Sequence, residues 1–418
     1  VPLYAAQLAI VSIESRLNSA ASHFAWMKTL PIPVINRDYQ GFPHQALMGA
    51  VGLGLGALEA VALALVILTT RHRAGVFEKR FVVTLVCTFA VLSFAAPAMS
   101  TTDPYEYAAT GLLGFAAYAP AAHAFAGTVY APFQKLVPLS GVIYGPLWVL
   151  VDTAQTSLGS SVYQKIEAIR GTNAGFVALF LALLARAGLS RAALIGFALN
   201  PCTWFYFVAN PHADIEGLAL LAAAYGFALR SKSRASMFFV AAAGLIKLPF
   251  VVIGGASLVP LSGAGRRFGT WLLACALVIV VSALVPEHAY LKGLSQFAAH
   301  RAAVGWYAGW LVIAGALAVA MLLLVGVRRG PLGAAWLFQQ LAILAAPWYL
   351  FWGVPYAIAT DSIEIYLVAL PPAAALLGEA SKLHGAWQSV LFVVVLILGT
   401  DIYASLRNRT AALLVDGR

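Results

Sequence analysis

Polar positions are rare along this chain and gather at the ends of long apolar runs. Residues 81–99, FVVTLVCTFAVLSFAAPAM, carry no charge, and the polar stretch STTDPYEYAATG (100–111) follows at once. A helix of about twenty apolar residues crosses a hydrocarbon core. The same pattern predicts spans near 46–70, 81–100, 166–187, 191–208, 213–229, 268–285, 303–327, 333–352, 362–378 and 387–404. Residues 235–262 lie between two basic clusters but are too short for two full spans. Two half-helices meeting at IKLP are expected there, because Pro249 removes a backbone donor and breaks the helix. No fixed-period repeat is present, and the two halves do not echo one another.

Composition turns this pattern into a fold class. The chain is 61% hydrophobic and 10% charged, where a soluble domain carries roughly 25% charged residues. The expectation is an all-α, multi-pass integral membrane protein, a polytopic transmembrane helical bundle of about 10 to 13 membrane segments. The net charge of +10 does not signal nucleic acid. The cations sit in short clusters between apolar runs (Arg71, Arg73, Lys79 and Arg80; Arg186 and Arg191; residues 230–234; Arg266 and Arg267; Arg328 and Arg329), as the positive-inside rule requires. If those clusters are cytoplasmic, four polar stretches face outside: 101–165, 209–217, 286–301 and the region after 347–352. Residues 105–117 and 144–154 are expected as short interfacial helices within the first outer loop, 101–165. Residues 1–43 hold Glu14, Arg16, Lys28, Arg37 and Asp38, too polar for a span, and are expected as an interfacial or poorly ordered lead-in to one transmembrane domain, 44–418. Cys87, Cys202 and Cys275 all lie in apolar stretches, which gives neither a disulfide framework nor a metal set.

Few polar residues remain to carry chemistry. Asp103 at the outer end of a span is either a helix cap or a general base at the water–lipid boundary. His212, Asp214 and Glu216 fall within five residues; they are a possible metal set or simple capping at the positive end of a helix. Lys247 lies deep in AAAGLIKLPFVV. A lysine there costs about 2.5–3.5 kcal/mol on insertion scales, so it is either a phosphate-binding cation or a snorkelling one. His300 and Arg301, with His288 and Lys292 nearby, either meet an anionic head group or sit at the interface. Trp348, Tyr349 and Trp352 of PWYLFW suit an interfacial belt or a sugar-binding face.

In chain order, D-x-Y-x-Y-x3-G (Asp103, Tyr107, Gly111), Y-G-P-L-W (144–148), N-P (Asn200, Pro201) with the later NPHAD (210–214), LIKLP (245–249) and PWYLFW (347–352) resemble the GT-C superfamily of polytopic glycosyltransferases. The similarity is to polyprenol-phosphate-mannose-dependent mannosyltransferases of the bacterial lipoglycan type, and it covers roughly residues 81–360. Two positions depart from that pattern: Ala213 stands where the family has Asn, and the first-loop D/N-P-Y appears only as AAYAP with Tyr118. The resemblance implies a polyprenyl-phosphate-linked sugar donor, mannose favoured, and a glycolipid or polysaccharide acceptor. It implies transfer with inversion on the extracytoplasmic side of a bacterial plasma membrane, with no cofactor, nucleotide site or metal. Asp103 is then the general base, and Lys247, His300 and Arg301 face the donor phosphate. Glu106, Tyr107, Tyr144, His212, Asp214, Trp348 and Tyr349 bind substrate. Two alternatives stay open, a lipid-linked-sugar transporter or flippase and a GT-C enzyme using a polyprenyl-phosphate pentose. A transporter accounts for Lys247 and the half-helices, but not for the long outer loop with Asp103 and Tyr107.

Overall fold

The computed structural model describes residues 1–21, 28, 31–33, 45–72, 78–96, 99–121, 123–128, 142–295 and 347–382. Among these residues the protein is a bundle of helices with no strands. The first helix departs from expectation. The start of the polar segment 1–43 folds as α1 (Pro2–Ala21), which packs on the next two helices, α2 (Gln45–His72) and α3 (Lys79–Ala95). Its Tyr4 is fully buried, with its hydroxyl 2.7 Å from that of Ser93. The charges that disqualify α1 as a span therefore do not keep it out of the bundle.

The helix α3 ends at Ala95, eight residues before Asp103, so the acids do not directly follow a helix end. Ala96 is extended, and the Met99 amide donates to the Pro33 carbonyl at 3.0 Å. The two short helices of the first loop form close to their expected places. They are α4 (Asp103–Leu113), which tightens into a 3-10 turn over Gly114–Tyr118, and α5 (Pro146–Ser157). Proline in the first turn starts both, where its missing N–H costs nothing. The helix α6 (Val162–Arg186) opens with a full capping box between Ser161 and Gln164.

The expected span 191–208 is bent by 52° between α7 (Arg191–Ala198) and α8 (Pro201–Trp204) with the π turn Phe205–Ala209. Asn200 causes the break. Its Oδ1 caps the Cys202 amide at 3.0 Å, Pro201 offers no N–H, and its Nδ2 donates to the Leu367 carbonyl at 3.1 Å. Next come α9 (Asp214–Leu229) and the half-helices α10 (Ser233–Ile246) and α11 (Pro249–Ile253), which break within the expected IKLP segment. After α12 (Ala264–Leu284), the described chain resumes with a 3-10 turn, Pro347–Gly353, then α13 (Val354–Ala359) and α14 (Ile363–Lys382). By length and composition, α2, α6 and α12 can each cross a membrane, and the bent pair is a fourth. The expected spans at 303–327 and 387–404, and 333–352 up to Ala346, lie outside the described residues.

One feature of the expected topology is corrected. The pattern puts the start of the span at 362–378 on the face away from the cation clusters. In the structure Glu364, in the first turn of α14, pairs with Arg71 at the end of α2 and accepts the Ser190 hydroxyl at 2.9 Å. The short turns over 347–359 return the chain to the cationic end before α14 begins, a fold that hydropathy alone does not reveal.

Candidate functional site

Two loops build the site, and each is held by its own backbone devices. The first is 99–103, leading into α4. The Ser100 amide donates to Asn210 Oδ1, and the Asp103 amide to Thr101 Oγ1 at 3.2 Å. One turn into α4, the Tyr105 hydroxyl bonds both the amide (2.9 Å) and the carbonyl (2.8 Å) of Ile32. The second loop is 209–214, at the end of the π turn. The Asn210 amide bonds the Phe205 carbonyl at 2.7 Å and the His212 amide bonds that of Tyr206 at 3.1 Å. A π turn leaves carbonyls without intrahelical partners. Here α6 supplies them, with Arg170 Nη2 donating to Ala209 O at 2.8 Å and Asn173 Nδ2 to His212 O at 3.1 Å.

The loops meet where His212 Nδ1 lies 3.3 Å from Asp103 Oδ2. The imidazole is fully buried, whereas the Asp103 side chain is 24% exposed. The His212 ring stacks on Trp348, with centroids 3.9 Å apart and planes 13° apart. Trp348 in turn meets Tyr349 edge-on. The carboxylate therefore has a rigid partner on one side and an opening on the other.

Lys247 forms the second centre. Its ammonium lies 3.4 Å from Asp214 Oδ1 and over three rings, at 4.4 Å from the centroid of Tyr349, 5.0 Å from Tyr144 and 5.2 Å from Trp352. Aromatic faces stabilise a desolvated cation, which lets a lysine that is only 3% exposed stay charged. Asp214 is fully buried; its Oδ1 also accepts Trp352 Nε1, and its Oδ2 has no hydrogen-bond partner among the described residues. Tyr144 joins the two centres, its hydroxyl 2.8 Å from that of Tyr107. Burial, then each other's presence and Asp103, pushes the Tyr107 phenol well above the usual tyrosine range; burial, then Asp103, does the same to Tyr144. Both act as neutral hydrogen-bonding groups.

Backbone contact sets the distance between these parts. The Gly145 amide donates to the Ile246 carbonyl at 2.9 Å, and a Cβ on Gly145 would sit 2.1 Å from the Leu245 carbonyl oxygen. Only glycine lets the Tyr144 segment run against the helix end that carries Lys247. Gly111 plays the same part between α4 and α5, where a Cβ would lie 2.3 Å from Thr156 Oγ1.

The structure thus gathers Asp103, Tyr107, Tyr144, His212, Asp214, Lys247, Trp348 and Tyr349 at one place. Glu106 accepts the Thr102 hydroxyl at 3.1 Å in the first turn of α4. Asn200 is the cap at the bend described above. His300 and Arg301 lie outside the described residues. Among the described residues no group of three or more His, Cys, Asp or Glu is arranged to hold a metal ion. Sequence reasoning missed Arg170 and Asn173, and left Trp352 between a belt residue and a sugar-binding one. An arginine and an asparagine three apart inside the apolar span of α6 are the signal that was available.

A family model for the alpha-(1→6)-mannopyranosyltransferase N-terminal domain matches residues 9–262, more than half of the chain. The chain belongs to this mannosyltransferase family. Neither the curated proteins nor the solved structures yield a match. The alpha-(1→6)-mannopyranosyltransferase model spans α1 to α11, and so covers both acidic loops, the Y-G-P-L-W segment and Lys247. Trp348, Tyr349 and Trp352 lie beyond it, yet fold back onto Asp214 and Lys247. The α1 helix belongs to the matched region from residue 9 onward, which agrees with its packing inside the bundle.

Proposed function

We propose that this mannosyltransferase moves mannose from a polyprenyl-phosphate donor to a hydroxyl of a glycolipid or polysaccharide acceptor, in one inverting displacement on the extracytoplasmic side of the membrane. Asp103 takes the proton of the attacking hydroxyl. That oxygen bonds to the anomeric carbon as the bond to phosphate breaks, and polyprenyl phosphate leaves as an anion. Lys247 stabilises the growing negative charge on the phosphate, with His300 and Arg301 as its proposed companions. Tyr107, Tyr144, His212, Asp214, Trp348 and Tyr349 shape the sugar site. An anionic leaving group needs positive charge near it rather than an acid.

The observation that carries this reading is the pairing of opposite chemistry at one end of the bundle. A partly open carboxylate, Asp103, stands across the Tyr107–Tyr144 pair and the His212–Trp348 stack from a buried, caged cation, Lys247. Sidedness is supported by helix direction. The cations Arg80 and Arg186 sit at the ends of α3 and α6 remote from the site, about 25 Å away for a 17-residue helix.

Transfer from radiolabelled polyprenyl-phosphate mannose to membrane glycolipids tests the reading. Asp103→Asn at unchanged protein level is expected to lower transfer by about 100- to 10,000-fold, and Lys247→Ala to lower it strongly as well. Undiminished transfer by Asp103→Asn would overturn the base assignment. No transfer by wild-type membranes from any lipid-linked sugar would overturn the donor class.

A further inference from the structure

Arg170 is 1% exposed in the span α6, and it sits where the two acidic loops begin. One guanidinium nitrogen, Nη2, donates to Ala209 O at 2.8 Å; the other, Nη1, reaches Ala96 O at 3.4 Å and Glu167 Oε1 at 2.7 Å. Ala96 opens the stretch that ends at Asp103, and Ala209 the stretch that contains His212. One turn along the same face of α6, Asn173 holds the His212 carbonyl. A buried cation bound mainly to backbone is expensive. Its geometry is also difficult to replace: a planar fork reaches two carbonyls on different segments and Glu167 at once, a fixed arrangement that an ammonium on a flexible stem reproduces only in part. A second tie between the loops runs from the Ser100 amide to Asn210 Oδ1. The bonds to Ala96, Ala209 and His212 fix backbone on the two loops that bring Asp103 and His212 together.

We infer that Arg170 and Asn173 are positioning residues: from α6 they set the separation of Asp103 and His212, and through it the direction in which the Asp103 carboxylate faces the acceptor hydroxyl. This rests on the proposal that Asp103 is the base. A misplaced base slows the chemical step and leaves substrate binding in place. Removing the fork should therefore lower kcat and spare KM.

The test is steady-state transfer by purified full-length protein in lipid nanodiscs, with Arg170→Gln, Arg170→Lys and Asn173→Ala, alone and combined with Asp103→Asn. The expected result is a fall in kcat of about 10-fold or more for Arg170→Gln, with donor and acceptor KM within about two-fold of wild type. Arg170→Lys should recover part of the loss. In the Asp103→Asn background neither α6 substitution should lower the residual rate further, because residues acting through one group are non-additive. A raised KM at unchanged kcat, or an equal fold-loss in the Asp103→Asn background, would overturn the inference. If Arg170→Gln fails to accumulate, Asn173→Ala, which keeps the buried cation, decides by the same two readouts. Full activity of Asp103→Asn itself would instead sink the base assignment.

Discussion

Two of the cations buried at this end of the bundle, Lys247 and Arg170, are satisfied in different ways. Lys247 faces one carboxylate and three aromatic rings, with its closest anion 3.4 Å away. Arg170 is bound to two backbone carbonyls and to Glu167. Ring faces and a loose ion pair can yield to an incoming phosphate without unfolding anything. Backbone carbonyls at loop ends cannot yield without moving the loops. A compact ammonium in an exchangeable setting suits a ligand contact, and a forked guanidinium in a fixed one suits a frame. The same physical cost of burial thus supports a proposed substrate role in one case and a proposed positioning role in the other.

Exchanging the two cations breaks the comparison most directly. Lys247→Arg should cost about 100-fold in kcat/KM, because a planar guanidinium does not fit among Tyr144, Tyr349 and Trp352 as an ammonium does. Arg170→Lys should cost much less, with its loss confined to kcat. Near-wild-type kcat/KM for Lys247→Arg, read in the same transfer assay, would mean that any cation suffices and that the cage has no selective part.

Trp352→Phe sharpens the same contrast by a smaller amount. The indole N–H is one of two donors to Asp214 Oδ1. Without it, Asp214 leans wholly on Lys247 and competes harder with phosphate. A hydrogen bond to a charged group contributes about 1.5–3 kcal/mol, so donor KM should rise about 10-fold while kcat holds. A fall in kcat at constant KM would place Trp352 in the chemical step instead.

Much of this site is legible in the sequence because its parts obey local rules. The Leu248-Pro249 step broke the helix where proline must break it, and Lys247 fell at that break. Prolines 104 and 146 started α4 and α5 near the expected points. Other parts are not local. Arg170 stands out in the sequence as a cation inside the span of α6, but its partners do not until the fold brings Ala96 and Ala209 to it. Hydropathy also misjudges α1, which is polar enough to fail as a span yet buries Tyr4, and it misplaces the start of α14, whose position depends on the Arg71–Glu364 pair. Gly145 shows the same limit from the other side. Its motif is visible in the chain, but the reason for it, contact with Leu245, is a hundred residues away.

Asp152 offers a third way to bury a charge, and the smallest expected effect. It is fully buried on α5, with the Gly111 backbone beside its carboxyl group and Glu216 nearby. Among the described residues no cation pairs with it as Lys247 pairs with Asp214. Burial first, then the charge of Glu216, pushes the Asp152 carboxyl well above its usual range. The folded protein therefore holds a proton that the unfolded chain gives up. Stability from this group is greatest below the ordinary carboxylate pKa, falls as pH rises above it, and levels off above the raised value. Asp152→Asn keeps the shape and removes the titration. In nanodiscs its unfolding midpoint should lie above that of wild type at pH 8, and the gap should narrow toward pH 5, with mannosyl transfer little changed. A gap that instead widens toward pH 5 would mean that Asp152 is stabilised as a carboxylate by a partner, and that it belongs with Lys247 and Arg170 among the paired charges of the bundle.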